Sequence, residues 1–262
     1  MLKSPDLARS LRNLVQDIRA LGIAIPNDLD EEIKLVRQLG DEERTAIQAI
    51  QAKQAQLRTV AAKDYTQTRG ELIELLNLET ARRDNDFRQF ENDTVANRIA
   101  RSMAQAADDF QSGLADVFNQ VVADHRLNES AADLPKFADR HLSVLNLTTA
   151  QHNAVEAWKL GAEALRPIWG AFARLGTFLG YELGASSEYS AQLDNAYVLG
   201  DVTEPQQAHR MAQYFNSLWH GTDSHKPLQP LMPFVYAAYA GVPLRLKTLD
   251  VAAELRRQIQ AA

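Results

Sequence analysis

No proline occurs between Asn27 and Leu134, whereas seven of the nine prolines follow Leu134. Because proline removes a backbone donor and clashes with the preceding helical turn, a stretch this long without it favours long helices. Residues 1–140 also hold 43 of the 62 charged side chains, but only 6 of the 19 aromatic ones. We therefore expect long, solvated helices in the first half and a compact, apolar helical body in the second.

Apolar residues recur at helical spacing through most of the first half. The first helix has a typical start at Ser4-Pro5-Asp6. Gly40 and Gly70 are interpreted as helix ends. Neither glycine nor proline interrupts residues 72–92, which favours continuous helix there, with a loop near Asp84–Asp86 as the alternative. The helices expected in this half are 4–21, 28–40, 41–69, 71–92 and 94–121.

The second half predicts helices as well, because no segment alternates apolar and polar residues as a half-buried strand does. Pro167 is expected to end one helix near Leu165. The chain is therefore expected to be all-α, with long antiparallel helices at 1–130 and a compact, aromatic-rich helical domain at 136–262. The helices expected in the second half are 136–147, 149–165, a glycine-rich helix reaching Gly184, 188–199, 205–219 and 249–260, with a short helical segment at 235–240.

Three glycines fall four residues apart between Leu165 and Gly184. On one helix this spacing places them on one face, beside a bulky aromatic stripe. Glycine costs about 1 kcal/mol relative to alanine inside a helix, so three in register indicate that another backbone comes close. A helix of the same chain, a second copy and lipid are the alternatives. The residues of this helix-packing or interface site are Gly176, Gly180, Gly184, Trp169, Phe172 and Phe178.

An uncharged run with four prolines extends over residues 227–244. The prolines forbid a single regular helix across it. Two interpretations remain open: the run is buried as a strap over the apolar core, or it is an exposed apolar patch that binds a partner.

The composition excludes several classes of function. The chain has no cysteine, which removes disulfides, thiolate metal sites and cysteine nucleophiles. Its net charge of −6, with Lys and Arg scattered among acids, argues against a general nucleic-acid-binding role. The first twenty residues are charged throughout, without the apolar segment of a secretory signal, so synthesis in the cytoplasm is expected.

Few residues suggest catalytic chemistry. The sequence contains no Gly-x-Ser-x-Gly, no phosphate-binding Gly-x-x-x-x-Gly-Lys and no His-Glu-x-x-His motif. His152 and Glu156 share a helical face, a spacing that serves metal ligation or a surface pair. His220, Asp223 and His225 are weak candidates for a metal or acid–base site, because a polar loop after a helix has the same composition. No cofactor is indicated.

These patterns favour a non-enzymatic subunit, adaptor or scaffold of a larger assembly, a virion or another particle among them, with further copies or other protein subunits as partners. One alternative is a membrane-active protein that inserts an apolar hairpin. A permanent membrane span is not expected, because residues 167–181 are shorter than the roughly 20 residues required and include Arg174. A second alternative is a metal enzyme that uses His220, Asp223 and His225.

Overall fold

The computed structural model describes residues 4–135, 147–184, 188–219 and 230–261. Within these ranges every regular element is helical apart from one isolated β-bridge between Gly200 and Leu244, which confirms the all-α prediction. The α-helices are α1 (Ser4–Ala20), α2 (Asn27–Thr59), α3 (Tyr65–Arg83), α4 (Asn85–Gln105), α5 (Ala107–Asp124), α6 (Leu127–Ser130), α7 (Thr149–Phe178), α8 (Tyr189–Leu199), α9 (Pro205–Trp219), α10 (Val235–Ala240) and α11 (Leu249–Ala261).

The helix ends predicted at two glycines are wrong. Gly40 lies inside α2 and Gly70 inside α3, and both are exposed to solvent. A glycine in a long exposed helix costs only about 1 kcal/mol, which neighbouring turns offset. The chain instead turns after Thr59, where Val60 adopts extended backbone angles (φ −67°, ψ 143°).

The continuous helix predicted over residues 71–92 is also wrong, and the alternative break is confirmed. Asp84 has extended backbone angles (φ −57°, ψ 124°) and caps α4, because its side chain accepts hydrogen bonds from the backbone N–H groups of Asp86 and Phe87 at 3.1 and 3.0 Å. A second break, at Ala106, divides the helix expected over 94–121 into α4 and α5.

The chain forms two compact units. The first contains described residues 4–15 and 24–106; the second contains 16–23 and the described residues from Ala107 onwards. This grouping differs from the expected division at 1–130 and 136–262, because α5 packs against α7 within the second unit.

Helix α7 passes through Pro167 without ending, contrary to the prediction. Thr148 caps its start in a reciprocal arrangement with Gln151: each side chain pairs with the other residue's backbone N–H. Pro167 and Glu163 are both exposed, so the carbonyl that loses its helical donor lies on the solvent side. In the second unit, the largest fully buried side chains include Trp158, Phe110, Phe118, Phe172 and Phe234.

The described part of the uncharged run, residues 230–244, is largely buried in the second unit, which supports the strap interpretation there; residues 227–229 lie outside the described residues.

The backbones of Leu244, at the end of this run, and of Leu246 form hydrogen bonds with side-chain amides of other elements. Asn128 accepts from Leu244 N at 2.7 Å and donates to Leu244 O at 3.2 Å. Asn119 accepts from Leu246 N at 2.9 Å and donates to Leu246 O at 3.0 Å.

The backbones of Pro243, Arg245 and Lys247, which alternate with Leu244 and Leu246, form hydrogen bonds with the end of α8 and with Asp201. Arg245 N donates to Leu199 O and Lys247 N to Val198 O, each at 3.0 Å, and Asp201 N donates to Pro243 O at 2.9 Å. Successive residues of an extended segment point their backbone N–H and C=O groups to opposite sides. Residues 243–247 therefore form hydrogen bonds on both sides, although they belong to no sheet.

Tyr236 carries a buried hydroxyl for which the described residues offer no hydrogen-bond partner. Its ring packs edge-on against Phe215 (centroids 5.0 Å apart), and burial raises the pKa of its hydroxyl. We expect Tyr236→Phe to raise the free energy of unfolding by about 1 kcal/mol, because it removes an unpaired polar group and keeps the ring. Urea denaturation followed by circular dichroism measures this change.

The matched control is Tyr239→Phe in the same helix. The Tyr239 hydroxyl donates to Pro135 O at 3.0 Å, so its loss is expected to lower stability by about 1 kcal/mol. Equal destabilisation by both variants would contradict the prediction for Tyr236.

Candidate assembly surface

Helices α2 and α3 form an antiparallel hairpin within the first unit. The Lys53 ammonium pairs with Glu71, and Arg82 donates to Glu42 at 3.3 Å, so the residue numbers of the two helices run in opposite directions. Hydrogen bonds from Lys53, which has the larger effect, and from Gln67 hold the pKa of the Glu71 carboxyl below its ordinary value. These ion pairs fix the register of the hairpin.

The hairpin buries few of its apolar side chains. From Lys34 to Thr59, all of which the structure describes, α2 has no buried residue; α3 buries only Thr68, Leu72 and Glu79. Isolated helix pairs gain their stability from apolar packing, which is sparse here. The hairpin therefore keeps apolar side chains exposed that a partner would bury.

One side of the hairpin exposes large apolar side chains. Ile47, Ile73 and Leu76 are 36%, 40% and 39% exposed. Ile47 and Leu76 line a shallow groove of about 300 Å³ together with the half-buried Ile50. Ile73 precedes Leu76 by three residues on α3, so the two lie on the same side of that helix.

Charges of opposite sign lie at the two ends of this side. Four residues of α2 follow one another at intervals of four, seven and four positions, a spacing that keeps them on one face of the helix: Glu43, Ile47, Gln54 and Arg58. Glu43 and Arg58 are exposed, and neither has an ion-pair partner among the described residues. We call Glu43, Ile47, Arg58, Ile73 and Leu76 the hairpin face.

The three glycines of the sequence prediction do not share a helical face. Only Gly176 belongs to α7. Gly180 and Gly184 follow the helix with left-handed φ angles of +92° and +91°, and the turn uses Gly180 to end α7. A Cβ on Gly176 would lie 2.5 Å from a methyl of Leu183, so the group that approaches there is a side chain of the same unit.

The aromatic residues beside the glycines differ in burial. Trp169 and Phe172 are buried and stacked, with ring centroids 6.1 Å apart, whereas Phe178 is half-buried. Sequence reasoning missed Asn195, which is fully buried and holds the turn after α7: its side chain accepts from Gly184 N at 2.9 Å and donates to Gly184 O at 2.8 Å. This region is thus part of the packing of the second unit.

His220, Asp223 and His225 lie outside the described residues. Among the residues that the structure describes, no three His, Cys, Asp or Glu side chains come together as metal ligands, and His152 and Glu156 are both exposed. Within the same ranges, no helix combines the length and apolarity needed to cross a bilayer.

Comparison with known proteins found no relative: no protein-family model, no curated protein and no solved structure matches the chain. The hairpin face is therefore interpreted from its own chemistry. In the sequence, Ile47 and Leu76 are two of the apolar residues that recur at helical spacing in the first half. The spacing of Glu43, Ile47, Gln54 and Arg58 was the available signal that could have drawn attention to the face.

Proposed function

We propose that the protein is a non-enzymatic subunit of a larger assembly and that two copies associate through the hairpin face. The observation that carries this proposal is a set of exposed apolar side chains with opposite charges at its two ends, neither of which has an ion-pair partner in the described part of the chain. A two-fold interface requires a surface that complements itself. The hairpin face has this property when the two α2 helices run antiparallel.

The positions of the charges support the antiparallel arrangement. Glu43 and Arg58 lie at equal distances, about 11 Å, on either side of the point between Ile50 and Gln51. A two-fold axis through that point places Glu43 of each copy opposite Arg58 of the other. The ion pairs of the hairpin bring Ile73 to the same level of α3, so the two Ile73 side chains meet near the axis.

Light scattering after size-exclusion chromatography tests the proposal. We expect a mass twice the 29.2 kDa of the chain. Glu43→Arg or Arg58→Glu alone brings like charges together twice in each dimer, so each is expected to weaken association at least tenfold, roughly 1.4 kcal/mol or more. The double variant Glu43→Arg/Arg58→Glu restores both pairs and is expected to recover the dimer.

The control is Asp116→Arg, which makes the same charge change at an exposed position of α5 and is expected to leave the mass unchanged. A wild-type monomer at all concentrations would contradict the proposal. Failure of the double variant to associate better than the single variants would contradict the antiparallel arrangement.

A further inference from the structure

A second feature of the first unit is a cleft of about 490 Å³ between α1, α2, α3 and α4. This volume lies in the range of small-molecule sites. Apolar side chains form part of its wall, and arginines and glutamates form the rest. The apolar lining includes Val36, Leu39, Phe87 and Val95, and five arginines and four glutamates form the charged lining.

Two buried polar atoms of this lining have no hydrogen-bond partner among the residues that the structure describes. Glu79 is only 7% exposed, and its Oε1 accepts a hydrogen bond from Arg83 Nε at 2.7 Å. Its Oε2 is buried and receives no hydrogen bond from any described residue, and the same holds for the N–H donor at Arg12 Nε. Leaving such a group unpaired costs about 1–3 kcal/mol, which a ligand with a matching group would offset.

The arginines of the cleft are unequally paired. Arg82 pairs with Glu42 and Arg83 with Glu79, whereas Arg9, Arg12 and Arg88 have no ion-pair partner among the described residues. Glu43 and Glu91 also line the cleft and have no ion-pair partner among the described residues, so the lining holds three such guanidinium groups and two such carboxylates. The remaining charge favours an anion, since guanidinium groups bind carboxylates through two parallel hydrogen bonds.

We propose that this cleft binds a small polycarboxylic acid that also carries a hydroxyl group. The carboxylates pair with Arg9, Arg12 and Arg88, and the hydroxyl donates a hydrogen bond to Glu79 Oε2. A single tetrahedral anion, only a few times the roughly 30 Å³ of a water molecule, would leave most of the cleft unfilled. This binding site is additional to the proposed assembly role. Glu43 lines the cleft and also belongs to the hairpin face, so the variants used to test binding leave Glu43 unchanged.

Calorimetric titration of the full chain with citrate and with tricarballylate tests the proposal. The two acids share three carboxylates, but only citrate has a hydroxyl group. We expect citrate to bind about tenfold more tightly, because a hydrogen bond to a charged acceptor contributes that much. Inorganic phosphate, the third ligand in the titration, is expected to bind more weakly than citrate.

Arg9→Gln and Arg88→Gln change exposed side chains and are each expected to weaken citrate binding at least fivefold, about 1 kcal/mol. The matched control is Arg101→Gln, which changes an exposed arginine of α4 outside the cleft and is expected to leave citrate affinity unchanged. The mass of each variant by light scattering is expected to equal that of the wild type, which separates this test from the test of assembly.

Several results would overturn the proposal. No heat of binding with millimolar citrate would do so, as would equal losses in Arg9→Gln, Arg88→Gln and Arg101→Gln. Equal affinity for citrate and tricarballylate would overturn the role of Glu79. Phosphate binding as tight as that of citrate would overturn the polycarboxylate assignment.

Discussion

Replacing Asn119 with alanine is expected to lower the free energy of unfolding by about 2–4 kcal/mol. The Asn119 amide is the partner of both backbone polar groups of Leu246, with donor–acceptor distances of 2.9 and 3.0 Å. Leu246 is buried, so water does not readily replace the amide. Alanine therefore leaves a donor and an acceptor unpaired in the interior of the second unit.

Urea denaturation of two further variants separates this effect from the general cost of losing an asparagine. Asn153→Ala removes an exposed amide from α7 and is expected to change stability by less than about 0.5 kcal/mol. Asn119→Asp keeps an acceptor for Leu246 N but cannot donate to Leu246 O while it is ionised, so it is also expected to destabilise the protein. A loss in Asn119→Ala no larger than that in Asn153→Ala would contradict the bridging role of Asn119.

Local signals were sufficient to predict several helices. Helices α1, α9 and α11 begin where the sequence predicts: α1 at Ser4-Pro5-Asp6, α9 at Pro205 and α11 at Leu249, directly after Thr248. The helix predicted from residue 149 begins there as α7, and Thr148 caps it. These features depend on residues within one or two turns of each other, so a single sequence contains the necessary information.

The same local signals failed where glycine or proline has more than one structural role. Gly40 continues a helix, whereas Gly180 ends one with a left-handed φ angle. Pro167 is tolerated because the carbonyl without a donor lies on the exposed side of α7. Asp84 caps a helix within a stretch that has no breaking residue. Distinguishing these roles requires knowledge of what surrounds each residue.

Long-range pairing accounts for the grouping of α5 with the second unit. Its residue Asn119 binds Leu246, 127 positions further along the chain, and Gln111 accepts from Leu249 N at 2.8 Å. Both residues look like ordinary polar positions of a helix in the sequence. The hairpin face was similarly hard to identify, because an exposed Ile73 is indistinguishable from a buried one until the neighbouring helices are placed.

Replacing Phe118 with alanine is expected to destabilise the second unit by about 3–5 kcal/mol. Phe118 is fully buried in α5, and its ring meets Phe234 edge-on with centroids 5.7 Å apart. Alanine removes this contact and leaves a cavity where α5 meets the segment before α10.

Tryptophan fluorescence during urea denaturation is suited to measuring the loss, because Trp158, Trp169 and Trp219 all belong to the second unit. Phe118→Leu keeps most of the apolar volume and is expected to cost clearly less than Phe118→Ala. Leu160→Ala removes an apolar side chain that is 56% exposed in the second unit and is expected to cost less than about 0.5 kcal/mol. Equal losses in Phe118→Ala and Leu160→Ala would contradict the packing of α5 against Phe234. The expected order follows because a cavity forms only where neighbouring elements already enclose the ring.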